Sequence, residues 1–122
     1  MDWNFRSDQP IYAQLVEQIT QAILSGEFGP GSRLPAVREL AAQAGVNPNT
    51  MQRAMAELEQ SGLIYSQRTS GRFVTEDGFV IDEARYRLAR QHTQDFCAVM
   101  AGLGYDREQI LKFINEEKEE KV

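Results

Sequence analysis

Apolar residues Tyr12, Leu15, Val16, Ile19, Ala22 and Ile23 recur at i, i+3, i+4, i+7, i+10 and i+11. That spacing predicts a helix with one face turned to a core. Pro10 suits its first position and Gly26 supplies its stop. The segment GEFGPGSR, residues 26–33, is dense in Gly and Pro and reads as a loop. A second, shorter helix opens at Pro35, with Val37, Leu40, Ala41 and Ala44 inward. Residues 44–47 make a turn, after which Asn47 caps a third helix and Pro48 fits its first turn. Met51, Ala54, Met55 and Leu58 lie on the inner face of that helix; Asn49, Thr50, Gln52, Arg53 and Glu57 lie opposite, and Gly62 ends it.

Beyond Gly62 the period shortens. Leu63 to Gln67 and Phe73 to Thr75 predict two strands joined across Arg68-Thr69-Ser70-Gly71-Arg72, with Gly71 supplying a positive φ at the turn. Glu76-Asp77-Gly78 marks a boundary, dividing the chain into residues 1–77 and 78–122. Asp82 is placed to cap a long helix reaching about Ala101, with Leu88, His92, Phe96, Val99 and Leu103 along one side. Gly102 and Gly104 break it. Asp106 and Gln109 are spaced as a capping box for a last helix striped by Ile110, Phe113 and Ile114. The tail, residues 116–122, is expected to be solvated. The fold class is mainly α with one small β-hairpin.

The chemistry of the residues removes several function classes. No apolar run approaches the ~18 residues of a membrane span, and residues 1–10 have no hydrophobic signal core. A cytoplasmic protein without membrane partners is expected. Cys97 is alone, which leaves no disulfide or CxxC metal site, and it is expected to be a buried thiol. His92, five positions away, does not make a nucleophile–base pair with it. With no Gly-rich phosphate loop and no metal-ligand cluster, the reading is of a non-enzyme needing no cofactor or metal.

Short helix, turn, polar-faced helix and Arg-flanked hairpin, in that order, make a winged helix-turn-helix followed by a two-helix extension. This arrangement presents one helix to a DNA major groove and one hairpin to the flanking backbone. Asn and Gln pair with adenine edges, Arg with guanine, and Thr with phosphate or the thymine methyl group. Arg38 stands at the start of the helix that crosses the DNA backbone, and Arg68 and Arg72 bracket the wing tip. The formal net charge of −5 looks adverse for such a partner. Residues 33–72, however, carry five Arg against Glu39, Glu57 and Glu59. The local field matters more than the total, because salt screens charges beyond about 10 Å.

LPAVREL, GVNPNTMQRAMAELEQSGLI and the closing GRFV resemble the GntR family of bacterial transcription regulators over about residues 8–76. The resemblance implies a homodimeric, sequence-specific regulator of double-stranded DNA, acting as a repressor at an inverted-repeat operator. It implies DNA contacts from Arg38, from Asn47, Asn49, Thr50, Gln52 and Arg53, and from Arg68 and Thr69 with Gly71 nearby. Ala36 departs from the Ser usual in that family, and the wing reads RTSGR where a shorter Gly-rich form is common. The short extension is similar to the YtrA subfamily, in which it mediates dimerisation. That subfamily's members often control neighbouring transport operons.

Pairing also follows from the residues. Leu88, Phe96, Val99 and Leu103, with Ile110, Phe113 and Ile114, are too many apolar side chains for two helices to bury alone. A twofold partner would cover them and set two reading helices about 34 Å apart. So short an extension leaves little room for an effector pocket of ~300–1,000 Å³, so a weak or absent small-molecule response is expected. A groove between subunits remains the place for one. The competing reading is a winged-helix protein-interaction module, motivated by the acidic net charge.

Overall fold

The computed structural model describes residues 1–118; the end of the expected solvated tail, residues 119–122, lies outside the described residues. The chain forms two compact units, Met1–Arg85 and Tyr86–Val122. The first holds α1 (Ile11–Leu24), α2 (Val37–Ala44), α3 (Pro48–Gln60), β1 (Ile64–Gln67), β2 (Gly71–Val74) and the opening turns of α4 (Gly78–Gly102). The second holds the remainder of α4 and α5 (Arg107–Glu116).

The core of the first unit is the meeting of three helical stripes. Leu15, Ile19 and Ile23 of α1 pack with Leu40 and Ala41 of α2 and with Met51, Ala54, Met55 and Leu58 of α3. Leu34, Leu63, Ile64 and Val74 close it from the hairpin side. Tyr12 departs from the expected stripe: it is only half-buried, and its ring lies under the guanidinium of Arg53. Trp3 and Phe5, in a segment that reads as polar, stack 6.1 Å apart and pack against the same core. Gln14 and Gln18 of α1 tie that segment down, trading hydrogen bonds of 2.7–3.1 Å with the backbone of Arg6 and Asn4.

Helix ends follow local chemistry, with three shifts. Pro10 is the residue before α1, not its first position, and Pro35 lies two residues ahead of α2. Ala36 occupies the cap position of α2 and offers no side-chain bond. Gly45 closes α2 at φ 70°, a left-handed value that costs glycine least. Asn47 caps α3 as expected, its Oδ1 accepting the Asn49 N–H at 2.7 Å, with Pro48 following at the first position. α4 opens at Gly78, four residues before the Asp82 expected to cap it, because Asp77 Oδ1 accepts the Phe79 N–H at 2.9 Å. Asp82 instead pairs with Arg85 at 2.7 Å. Val80 and Ala84 of this opening stretch pack on the first unit's core.

The hairpin is antiparallel, with Ile64 opposite Val74 and Gln67 opposite Gly71. Ser32 and Arg33, expected as loop, form with Leu34 a third strand-like segment against β2. Arg33 pairs with Phe73, the Leu34 N–H donates to the Arg72 carbonyl at 2.8 Å, and the Val74 N–H donates to the Ser32 carbonyl at 2.9 Å. Backbone groups in a short Gly/Pro-rich connection still need partners, and the open edge of β2 supplies them.

In the second unit, α4 ends at Gly102 and Gly104 turns the chain at φ 97°. The capping box of α5 is complete: Asp106 Oδ1 accepts the Gln109 N–H, and Gln109 Oε1 accepts the Asp106 N–H, both at 2.9 Å. Tyr105 and Phe113 meet edge to face at 5.0 Å between centroids. Ile110 is buried within this unit, whereas Phe96, Val99, Leu103, Phe113 and Ile114 are exposed and Leu88 is half-exposed. Cys97 corrects an expectation: the thiol is exposed, on a stretch of α4 that buries no residue.

Candidate nucleic-acid interface

The outer face of α3 is the centre of the site. Its inner residues recur at Met51, Ala54, Met55 and Leu58, so helix geometry turns Asn49, Gln52, Arg53 and Glu57 to solvent. All four are exposed, and Thr50 is half-buried. Asn49, Gln52 and Arg53 stand at i, i+3 and i+4, which sets them on one face as a single polar row. Among the described residues no side-chain hydrogen bond occupies the exposed Gln52, so its amide is available to a partner of complementary shape.

Two members of the predicted set are partly committed. The carboxamide oxygen of Asn47 is held by the cap of α3. Bidentate reading of a base by Asn47 would therefore release the first turn of its own helix. The Arg53 guanidinium carbon lies 3.6 Å from the centroid of the Tyr12 ring. This cation–π contact draws the side chain towards α1 and holds it in one place without neutralising its charge.

Arg38 is exposed on the first turn of α2 and makes no ion pair among the described residues. Arg68 and Thr69 are exposed in the turn between β1 and β2, and Gly71 opens β2 at φ +102°. Arg72 differs. Its Nε donates to Glu59 Oε1 at 2.6 Å, and the Ser66 hydroxyl donates to the same oxygen. The Ser66 hydrogen bond, opposed by partial burial and assisted by Arg72, holds the Glu59 carboxyl below its ordinary pKa. One carboxylate thus fastens both wing strands to the end of α3. The wing is aimed by that junction, and among the described residues its tip arginine Arg68 has no ion-pair partner.

The predicted residues accordingly gather on the first unit in three groups: the α3 row, the start of α2, and the wing tip. Sequence reading missed Arg33. Its guanidinium lies against Gly71, 3.2 Å from Nε to the point a Cβ on that glycine would occupy. The signal was weak but present: a short polar–apolar alternation, Ser32-Arg33-Leu34, directly before Pro35. Among the described residues no group of three or more His, Cys, Asp or Glu could hold a metal ion, and no helix is long and apolar enough to cross a membrane.

Comparison with known proteins agrees with this architecture. Residues 11–74 match the sequence profile of the bacterial regulatory proteins of the gntR family. The uncharacterized HTH-type transcriptional regulator YhcF of Bacillus subtilis (strain 168) is 40% identical over 114 residues, 93% of this chain and 94% of that protein. The HTH-type transcriptional repressor YtrA of the same organism is 32% identical over 112 residues, covering 91% and 86%. Among solved structures, a GntR family transcriptional regulator from Listeria monocytogenes superposes with a TM-score of 0.84 at 38% identity, covering 93% of this chain and all of that one. AraR(DBD) in complex with operator ORR3 superposes with a TM-score of 0.53 at 35% identity, over 62% of this chain and 88% of that one. With a winged helix-turn-helix and helices beyond it, the chain belongs to the GntR family of bacterial regulatory proteins.

Proposed function

We propose that this regulator is a sequence-specific repressor that binds an inverted-repeat operator as a homodimer, controlling its own and a neighbouring operon. The row formed by Asn49, Gln52 and Arg53 enters the major groove, with Thr50 and the Asn47 amide beside the backbone. Arg38, Arg68 and Thr69 take flanking phosphates. The observation that carries the reading is the exposed polar row on α3, set on the same unit as Arg38 and Arg68, which have no carboxylate partner among the described residues. Two relatives support it: YtrA is named a repressor, and AraR(DBD) is bound to an operator.

The helical extension, residues 78–122, serves dimerisation in this proposal. Val99 and Leu103 are 64% and 68% exposed, Phe96 is exposed on the same side of α4, and Phe113 and Ile114 are exposed on α5. A second copy would remove these apolar groups from water, at roughly 25 cal/mol per Å². The test is fluorescence anisotropy with a duplex from the chain's own upstream region against a scrambled duplex at moderate salt. Preference for the upstream duplex, lost in Arg38→Ala, is expected. Equal binding to both duplexes would defeat the proposal.

A further inference from the structure

We propose that Arg33 is an additional DNA-backbone contact: with Arg38 it flanks a cleft between the start of α2 and the wing that receives one phosphate of the duplex. This inference rests on the DNA-binding reading above and adds a site to it.

Three observations converge. Hydrogen bonds on either side of Arg33, from Leu34 to Arg72 and from Val74 to Ser32, fix its backbone against β2. The side chain is directed along the sheet to Gly71, whose missing Cβ leaves the space the guanidinium fills, with Nε at 3.2 Å and Nη2 at 3.6 Å from that point. Among the described residues, the cleft lined by Arg33, Pro35, Arg38, Gly71 and Arg72 has no acidic residue in its wall.

Charge decides what such a cleft accepts. Arg72 is already neutralised by Glu59. Arg33 and Arg38 are exposed and have no carboxylate partner among the described residues. Two unpaired guanidiniums on one small concavity repel each other and favour a single anion between them. A duplex phosphate is the occupant favoured here, because the cleft adjoins the wing tip and the helix preceding the polar row. Arg33 is held to the wing and Arg38 belongs to α2, so one phosphate would bridge the wing and α2. The same glycine that permits the turn thus keeps room for the cation.

The test measures affinity of the full chain for its operator and for a scrambled duplex across a salt series. Wild type, Arg33→Ala and Arg33→Lys are compared, with circular dichroism checking that each folds. Arg33→Ala is expected to weaken binding to both duplexes by the same factor, about three- to tenfold. It should also reduce the slope of log affinity against log salt by about 0.9, one phosphate's worth. Arg33→Lys should keep the slope. Wild-type affinity and slope in Arg33→Ala overturn the proposal, as does a loss confined to the operator. So does inorganic phosphate that binds through Arg33 while duplex affinity is indifferent to the substitution. If wild type binds both duplexes equally, operator reading fails, yet the slope still reports on Arg33.

Discussion

The guanidinium of Arg53 lies 3.6 Å above the ring of Tyr12, joining the outer edge of α3 to α1. An exposed cation–π pair contributes about 0.5–1 kcal/mol. That is small against the core, but it acts on a side chain in the proposed reading row. A double-mutant cycle in urea should give a coupling of about that size between Tyr12→Ala and Arg53→Ala. Tyr12→Phe should retain most of it, because the ring face makes the contact. Zero coupling would mean that the two side chains meet without stabilising each other.

The junction at Glu59 makes a pH prediction. The Ser66 hydrogen bond and Arg72 hold its carboxyl below the ordinary value near 4.5. A depressed carboxylate stabilises the folded state fully above the unfolded value and loses that contribution as pH falls through the folded one. Wild type should therefore exceed Glu59→Gln in stability at neutral pH, and the gap should close in acid below about 4.5. Thermal midpoints of both proteins between pH 3 and pH 7 would show this. A gap that widened in acid would contradict the assignment.

Ala36 invites a stabilising substitution. Its backbone, at φ −63° and ψ 153°, already has the extended conformation of a cap residue, yet its side chain makes no bond. Ala36→Ser should raise stability by about 0.5–2 kcal/mol through a hydroxyl accepting an N–H of the first turn of α2. The urea midpoint should rise with the denaturant slope unchanged. No rise would mean that the first-turn N–H groups are served well enough by water.

Leu103 tests the proposed pairing. Placing a charge on a 68%-exposed leucine costs an isolated chain little, whereas burying that charge in a twofold interface costs several kcal/mol. Leu103→Glu should sediment as a monomer at concentrations where wild type is a dimer. It should also lose the tight, two-site component of operator binding. Dimeric sedimentation of the variant would move the interface elsewhere.

Helix faces and most caps could be read directly along the chain. The Leu15–Ile19–Ile23 stripe, the Met51–Leu58 stripe, the Asn47 cap and the Asp106–Gln109 box all depend on residues within one or two turns of one another. A helix places i, i+3 and i+4 together whatever surrounds it, so spacing alone is informative. Turn glycines were legible for the same reason: positive φ at Gly71 follows from a tight turn between strands.

Other features had no local signature. The strand-like pairing of residues 32–34, the seat of Arg33 on Gly71, the Arg53–Tyr12 stack and the docking of Trp3 and Phe5 each join segments distant along the chain. So does the burial of Val80 and Ala84, which draws the opening turns of α4 into the first unit and makes Asp77, not Asp82, its cap. Pairings of that kind are set by which surfaces meet when the core closes, because an unpaired edge or apolar ring takes whatever partner packing brings within reach.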